Sequence, residues 1–474
     1  MIHIDRHRSA RDLLPAIGRL FELSAGKIRS LEDTWRREDG APVFTVQGRY
    51  RARGWTEWTE GFQIGSAVLQ YDATNEPEFL ALGRVRTVGR MAPHLTHAGV
   101  HDHGFNNVST YGNLWRLARE GRVQAGEWET AFYELALKVS GAVQARRWTR
   151  LPGGGFIHSF NGAHSLFVDT IRSLRALALG FVLGQQILEE QDERVSLLER
   201  LVQHARATAC YNVYFGRGRD RFDVRGRTAH ESLFNVANGT YRGPSTQQGY
   251  SPFTTWTRGL AWAMLGFAEQ IEFIETVSDE ALAPCGGRDA VDSMMLEAAR
   301  ATSDHYIETA AADGVPYWDA GAPGLDALGD WNSRPADPYN QHEPVDSSAA
   351  AIAAQGLLRL GRILARRGAS AEGAQYEQAG LCVLDNLFDD TGPYLSTDPN
   401  HQGLLLHSVY HWPNGWDYVP PGVLTPRGES SQWGDYHARE AALYVKRLAE
   451  GAPYLAFFGA HESDVPGSER KDGR

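Results

Sequence analysis

The chain has 474 residues, 42% hydrophobic and 22% charged, so it can bury a large core and has the make-up of an ordinary globular protein. Its formal charge of −11 excludes the basic surface that nucleic-acid binding needs. It contains no run of ~18 apolar residues that would span a membrane. Cys210, Cys285 and Cys382 are too far apart for a metal motif and fit a reducing compartment as buried small hydrophobes. The segment from Met1 to Arg8 shows no secretory signal, so a cytoplasmic location is expected.

Helical period is the main signal along the chain. Residues 9–32 carry Leu13, Leu14, Ile17, Leu20, Phe21 and Leu23 at spacings of three and four. Residues 37–54 are turn-rich, with Val43 to Val46 as a short strand. Helices are predicted over 61–72 and 77–95, then 105–120 and 127–146. After a glycine-rich loop at 152–164 come 169–189 and 192–212. Residues 216–252 are long and irregular, as functional segments often are. Helices follow at 253–275, 289–311, 346–367, 371–388 and 432–450, separated in part by the long loops 312–345 and 391–431. A polar tail begins near residue 462 and is expected to fray.

That makes roughly twelve helices in antiparallel pairs with almost no strand signal. Several are apolar nearly all round, such as Ala349 to Leu360, and a helix without a wet face is buried on both sides. Alternating inner and outer helices in a closed ring produce this pattern. The expected architecture is an all-α (α/α)6 barrel, a single domain over 1–474, with the long loops gathered around a pocket at one end.

The chemistry is concentrated in two stretches. Val100-His101-Asp102-His103-Gly104-Phe105 sets a carboxylate between two imidazoles just before a helix. Asp169 follows the apolar Phe167-Val168 and opens another helix. An aspartate before a helix is usually an N-cap. Here the flanking histidines and Gly104, which admits close backbone approach, argue for a site. Apolar surroundings raise a carboxyl pKa, as a general acid requires, while a helix N-terminus lowers it. A second carboxylate facing Asp169 would tip the balance toward the protonated form, and Asp102 is the candidate.

His94, His97, His101 and His103 crowd one segment, but their spacing fits no zinc motif and no Cys or Glu completes one, so no metal is expected. Arg258 and Trp262 share a helix face, with Trp256 just before it. Arg258 is a candidate clamp for a substrate carboxylate. Trp58 is equally a stacking ring or a core residue. His230 sits in a glycine-rich loop, equally a solvated side chain. Asp346 reads as the cap of a tightly packed small-residue helix, and the segment from Ser431 to His437 as pocket rim or barrel closure. No phosphate loop and no Gly-x-Ser-x-Gly elbow is present.

Taken in order, these pieces resemble the unsaturated glucuronyl hydrolases, glycoside hydrolase family 88. The matching stretches are Trp58-Thr59 with Gly61-Phe62, His101-Asp102 with Gly104-Phe105, and Val168-Asp169. They continue through His230, Gln248-Gly249-Tyr250, Trp256 with Arg258-Gly259 and Ala261-Trp262, the run from Asp346 to Ala351, and the run from Trp433 to Tyr436. The resemblance implies an (α/α)6 barrel, no cofactor, and an acidic oligosaccharide substrate. The implied reaction is hydration of a C4=C5 unsaturated uronic acid at the non-reducing end. It places the acid/base on Asp169 and a charged partner on Asp102, with sugar contacts at Trp58, His101, His230, Gln248, Arg258 and Trp262.

Two departures stand out. Phe160 occupies a position where the family often has Trp, and the helix after Asp169 is more polar, with Arg172 or Arg175 expected to face pocket or solvent. Hydrolysis of saturated glucuronides, or of unsaturated rhamnogalacturonides, remains open on the same fold. So does a sugar epimerase using His101, His103, His230 or His411, and a non-catalytic helical-barrel binding protein. The oligomeric state is not legible.

Overall fold

A computed structural model describes residues 1–54 and 57–458. The tail expected to fray from residue 462 lies outside the described residues, as do Trp55 and Thr56.

The helices with no wet face form the inner wall. Thr257–Glu275 is buried at every residue from Thr257 to Ile274, and Gln432–Glu450 at every residue from Gln432 to Val445. Ser347–Arg366 is buried without interruption from Ser347 to Gly361. Three more elements complete the wall. They are Glu60–Thr74, the broken helix formed by His103–Asn107, Val108–Gly112 and Asn113–Arg119, and the short pair Thr170–Ser173 and Arg175–Val182. Each packs on the next, and Gln432–Glu450 closes the ring on Glu60–Thr74. Full burial of each Leu, Ile or Phe along this wall contributes roughly 1.5–3 kcal/mol, which is what an all-round apolar helix gains by being enclosed.

The outer helices are amphipathic, each laid against an inner one. Pro77–Arg90 covers Glu60–Thr74, Glu127–Arg146 covers Arg175–Val182, and Arg288–Thr309 covers Thr257–Glu275. Leu197–Tyr211 and Ser370–Phe388 repeat the pattern, and Leu14–Thr34 lies on the closing helix Gln432–Glu450. The described residues thus form the expected six-hairpin toroid.

Three expectations shift. The helix predicted over 169–189 ends at Val182, and Gln186–Leu188 instead pairs with Arg194–Ser196. The irregular stretch after residue 216 contains Glu231–Phe234 and Tyr241–Ser245, which join Ser165–Phe167 in a three-stranded antiparallel sheet. Strands of three to five residues hold too few alternations to announce themselves by period. Finally, Cys210 is exposed rather than buried, while Cys285 and Cys382 are buried.

Arg172 and Arg175 face neither pocket nor solvent. Both side chains are fully buried on the inner wall, where Arg172 Nη2 lies 2.7 Å from Glu440 Oε2 and its Nε 2.9 Å from Glu269 Oε2. Arg359 pairs with Glu272 at 2.7 Å in the same layer. Charges cannot enter such a core unpaired, and here arginines and glutamates enter together from four inner helices.

Candidate active site

The paired aspartates stand at the starts of two inner helices, yet neither side chain caps its helix. Both are freed for another task. The backbone that carries them is fixed from below by two buried polar side chains. Gln144 Nε2 and Ser173 Oγ each donate to the His101 carbonyl at 2.7 Å, and Ser173 Oγ accepts the Gly104 N–H at 2.9 Å. A Cβ on residue 104 would come within 2.2 Å of the Ser173 carbonyl oxygen, so only glycine allows this approach. The sequence signal read as closeness to a ligand is closeness to the neighbouring helix.

His101 wedges between the two carboxylates. Its Nε2 lies 3.7 Å from Asp102 Oδ1 and 3.6 Å from Asp169 Oδ1. Burial pushes the Asp102 carboxyl up to about 6, with the Asp169 charge adding to it. Burial also pushes Asp169 up, but the adjoining His101 outweighs it and leaves Asp169 below the usual carboxylate range. Burial would lower His101, but Asp102 and then Asp169 outweigh it and hold the imidazole above its ordinary value. The order of the two carboxyls is therefore opposite to the one expected, with Asp102 pushed up and Asp169 held down. The sequence does not show that the His101 imidazole sits against Asp169. The three groups interact strongly and share their protons as one set.

The same three residues bring ligating atoms within 4.8 Å of one another and are the side chains that a cation would find here. The other histidines of the segment turn elsewhere. His94 Nε2 meets Glu60 at 2.9 Å. His103 bridges Ser140 Oγ and the His97 carbonyl, each at 3.1 Å, and burial pushes its imidazole down to about 4. His103, which lies in the Val100–Phe105 stretch but has no catalytic partner, is a structural anchor.

Above the aspartates lies a cavity that opens to solvent. Trp58, Phe105 and Trp262 line one side, and Phe160, Phe167 and Trp256 another. Trp58 is fixed by stacking on Trp433 at 5.0 Å, so the closing helix supports the wall from behind. Phe160, the residue found in place of Trp, lies nearly parallel to the His101 ring at 6.1 Å. Flat rings with polar groups between them suit a sugar, whose C–H faces stack and whose hydroxyls hydrogen-bond.

Gln248 and Arg258 reach the cavity, but Arg258 is not a free clamp. Its Nη1 donates to Asp346 Oδ2 at 2.7 Å and to the Val409 carbonyl. Its Nη2 donates to Gln248 Oε1 at 2.7 Å and to the Tyr410 carbonyl at 2.8 Å. Both terminal nitrogens are thus committed, and the buried charge is balanced by Asp346. Asp346 also caps its own helix by accepting the Ser348 N–H, so it serves the cap reading and this second role together. Arg258 ties three chain segments together beneath the pocket.

His230 is brought near but not onto the cavity wall. It lies between Phe167 and Trp256, with ring centroids 4.6 and 4.5 Å away. Its Nδ1 accepts the backbone N–H of Gln247 at 3.1 Å and of Gln248 at 3.3 Å. Burial pushes it down to about 4, which suits this acceptor role. His230 shapes the Gln247–Gln248 turn.

The remaining wall comes from the loop 391–431, through Tyr410, His411 and Trp416. Asp417 holds that turn by accepting the His411 N–H at 2.8 Å. The Arg53 guanidinium lies 3.8 Å over the Trp416 ring, which sets a cation beside the cavity. The length of the loop stands out in the sequence, but the parts of Tyr410, Trp416 and Arg53 do not. An aromatic cluster in that loop was the available signal.

No family model matches the chain. An unsaturated glucuronyl hydrolase of Bacillus sp. (strain GL1) is 26% identical over 449 residues, covering 93% of this chain and 98% of the relative. An unsaturated chondroitin disaccharide hydrolase of Streptococcus pyogenes serotype M1 is 24% identical over 438 residues, 90% of each. The solved unsaturated glucuronyl hydrolase of Bacillus sp. GL1 superposes with a TM-score of 0.67 at 23% identity, covering 92% of this chain and 97% of that one. The toroid is the fold of these relatives, and the likeness spans nearly the whole chain.

Proposed function

We propose that this chain is a glycoside hydrolase that removes a 4,5-unsaturated uronic acid from the non-reducing end of an oligosaccharide. One observation carries the reading: two buried aspartates meet one imidazole on the floor of an aromatic cavity. Relatives that act on unsaturated glucuronyl and chondroitin substrates support the substrate class.

The substrate double bond is a vinyl ether. Protonation at C4 leaves an oxocarbenium-like centre at C5, and water adds there. The C5 hemiketal opens to a ketone, and the C1 hemiacetal so formed releases the remaining sugar as an alcohol. The net change is addition of one water. Asp169 delivers the proton to C4 and then, as carboxylate, accepts a proton from the attacking water. Before substrate arrives the proton rests on His101, 3.6 Å away. An incoming carboxylate adds negative charge beside Asp169 and favours moving the proton onto it. Asp102, once charged, stabilises the cation at C5.

One large hydrophobic cluster runs from Ile2 to Phe458, with two small ones of four residues each beside it, in keeping with a single catalytic domain. No helix among them is long and apolar enough to cross a membrane. With three free thiols, the chain suits the cytoplasm, where it would finish fragments left by polysaccharide lyases.

The test is loss of the ultraviolet absorbance of the C=C bond when unsaturated disaccharides from chondroitin, heparin and alginate-type digests are incubated with the protein. Loss with at least one is expected. An unchanged signal with all of them overturns the proposal, and interconversion of a saturated sugar would mark an epimerase instead.

A further inference from the structure

Two segments deliver His101, Asp102 and Asp169, and one side chain that does not line the cavity joins them. Arg147 follows the outer helix Glu127–Arg146 and is 8% exposed. Its Nη1 donates to the Ala98 carbonyl, three residues ahead of His101. Its Nε donates to the His158 carbonyl at 3.1 Å and its Nη2 to the Ser159 carbonyl at 2.6 Å. Ser159 donates its own N–H to the Ser165 carbonyl at 2.9 Å, and the two hydroxyls lie 2.7 Å apart. Ser165 opens the strand Ser165–Phe167, which runs straight into Val168-Asp169. Phe160, the residue after Ser159, is the ring that lies nearly parallel to His101. One guanidinium thus clasps the approach to His101-Asp102 and the approach to Asp169.

Its charge is placed as tellingly as its bonds. Among the described residues no carboxylate forms an ion pair with Arg147, and all three of its partners are backbone carbonyls. A buried cation solvated only by carbonyl dipoles leaves its field to act on neighbouring charges. With both carboxyls ionised and one proton on His101, the trio carries one net negative charge, which Arg147 matches. Burial pushes Asp102 up, and Arg147, with His101, works against it. Burial likewise pushes Arg147 down, and Asp102 works against that. For His101, burial and Arg147 both oppose the proton that Asp102 and Asp169 attract.

The other titratable groups around the trio supply no such charge. Burial pushes His158, His230 and His411 down to about 4, His204 down to about 3, and Tyr410 up to about 12. Arg258 is balanced by Asp346, and Arg53 stands over Trp416. Glu231, behind the strand, accepts from Ser165 Oγ and Asn161 Nδ2.

We propose that Arg147 is a positioning residue of this reaction: its clasp on three carbonyls sets Asp169 against His101-Asp102, and its positive charge keeps Asp102 ionised while Asp169 carries the proton. The inference deepens the proposed hydration and rests on it.

The experiment compares Arg147→Met, which removes charge and bonds, with Arg147→Lys, which keeps the charge and loses the fork. Rates on an unsaturated disaccharide are followed over pH. The His101 imidazole is titrated in parallel by magnetic resonance of the isotope-labelled full chain without substrate. Arg147→Met should lower kcat about tenfold or more, because the reacting groups are no longer held in register. Its KM should stay within about twofold of native, since Arg147 does not line the cavity. Both limbs of its pH profile, and the His101 titration, should move to higher pH by about half a pH unit once the positive charge is gone. Arg147→Lys should return limbs and titration to their native positions while kcat stays low. Should Arg147→Met fail to fold, Arg147→Gln, whose amide can still donate to the carbonyls, carries the same shifts. Limbs and titration that stay in place in the uncharged variant overturn the proposal, because a slower enzyme with unmoved limbs has only a loosened loop. So does an Arg147→Lys enzyme whose limbs move as far as those of the uncharged variant. If the chain consumes no unsaturated disaccharide yet its His101 titration follows the charge, the hydration falls and the hold of Arg147 on the trio stands.

Discussion

Arg258 Nη1 and Asp346 Oδ2 meet at 2.7 Å, and both side chains are buried. The pair fixes how the two long helices that start at these residues present the cavity. Because both terminal nitrogens of Arg258 are already bonded to protein, its contribution is to hold Gln248 and the Val409–Tyr410 turn. Arg258→Lys keeps the charge but loses the planar fork. Its kcat/KM is expected to fall by about a hundredfold, a cost of ~2.7 kcal/mol. The ratio of rates on the uronic acid and on its methyl ester should stay as in the native enzyme. A collapse of that ratio in Arg258→Lys would show that Arg258 grips the substrate carboxylate directly.

The inverted polarity around His101 predicts the pH profile. The Asp102 carboxyl, pushed up to about 6, gains its charge as pH rises through that value, so kcat/KM should rise there. His101, held above its ordinary value, loses its proton at higher pH and takes the transferable proton with it, so the rate should fall again. Asp102→Asn should remove the acidic limb and leave a low, flat rate below neutrality. Asp169→Asn should reduce the rate by about three orders of magnitude or more at every pH, with the fold intact by circular dichroism. An Asp169→Asn enzyme that keeps most of its rate would move the acid to Asp102. Chelation with EDTA should leave all of these rates unchanged, and a loss restored by a divalent ion would assign the three residues to metal binding.

The ring of helices was legible because long all-apolar and amphipathic helices carry a strong period. Ala349 to Leu360 reads as enclosed from its residue types alone. The aspartates were legible as a motif because Gly104 and the apolar run ahead of Asp169 set them apart from ordinary caps. What the sequence hid depends on third partners distant in the chain. Nothing near Asp169 shows that His101 will lie 3.6 Å from it, and that contact is the main influence that holds its pKa down against burial. Nothing near Arg258 shows that Asp346, Val409 and Tyr410 will occupy it. Tyr410 and Trp416 reach the cavity from a loop without period, where position is set by tertiary contacts such as the Asp417 turn.

Arg53 stacks on Trp416, and Trp416 lines the cavity, so this cation stands beside the space proposed for an acidic substrate. Burial pushes the Tyr410 hydroxyl up to about 12 and His411 down to about 4 on the same wall, and the Arg53 charge opposes the first shift and adds to the second. Arg53→Gln should raise KM about fivefold with kcat nearly unchanged, equivalent to ~1 kcal/mol of attraction at a partly exposed site. The difference from the native enzyme should shrink at high salt, since the Debye length falls to about 3 Å at 1 M. An unchanged KM at low salt would remove Arg53 from substrate recognition.

Arg172 lies three residues after Asp169 and shows how the inner wall carries charge without exposing it. Its guanidinium spans Glu269 at 2.9 Å and Glu440 at 2.7 Å with the side chain fully buried. Arg172→Met fits the volume but leaves both glutamates facing one positive charge fewer. Breaking one side of a buried ion pair costs about 3–5 kcal/mol, because the remaining charge is neither solvated nor paired. Denaturant unfolding should therefore move to a clearly lower midpoint without a change in slope. The double change Arg172→Met/Glu440→Gln removes the stranded charge while leaving Glu269 to face Arg175, and should recover much of that loss. If Arg172→Met is as stable as the native chain, water rather than Arg172 balances these glutamates. If this double variant is no better than the single one, the cost lies in packing rather than in charge.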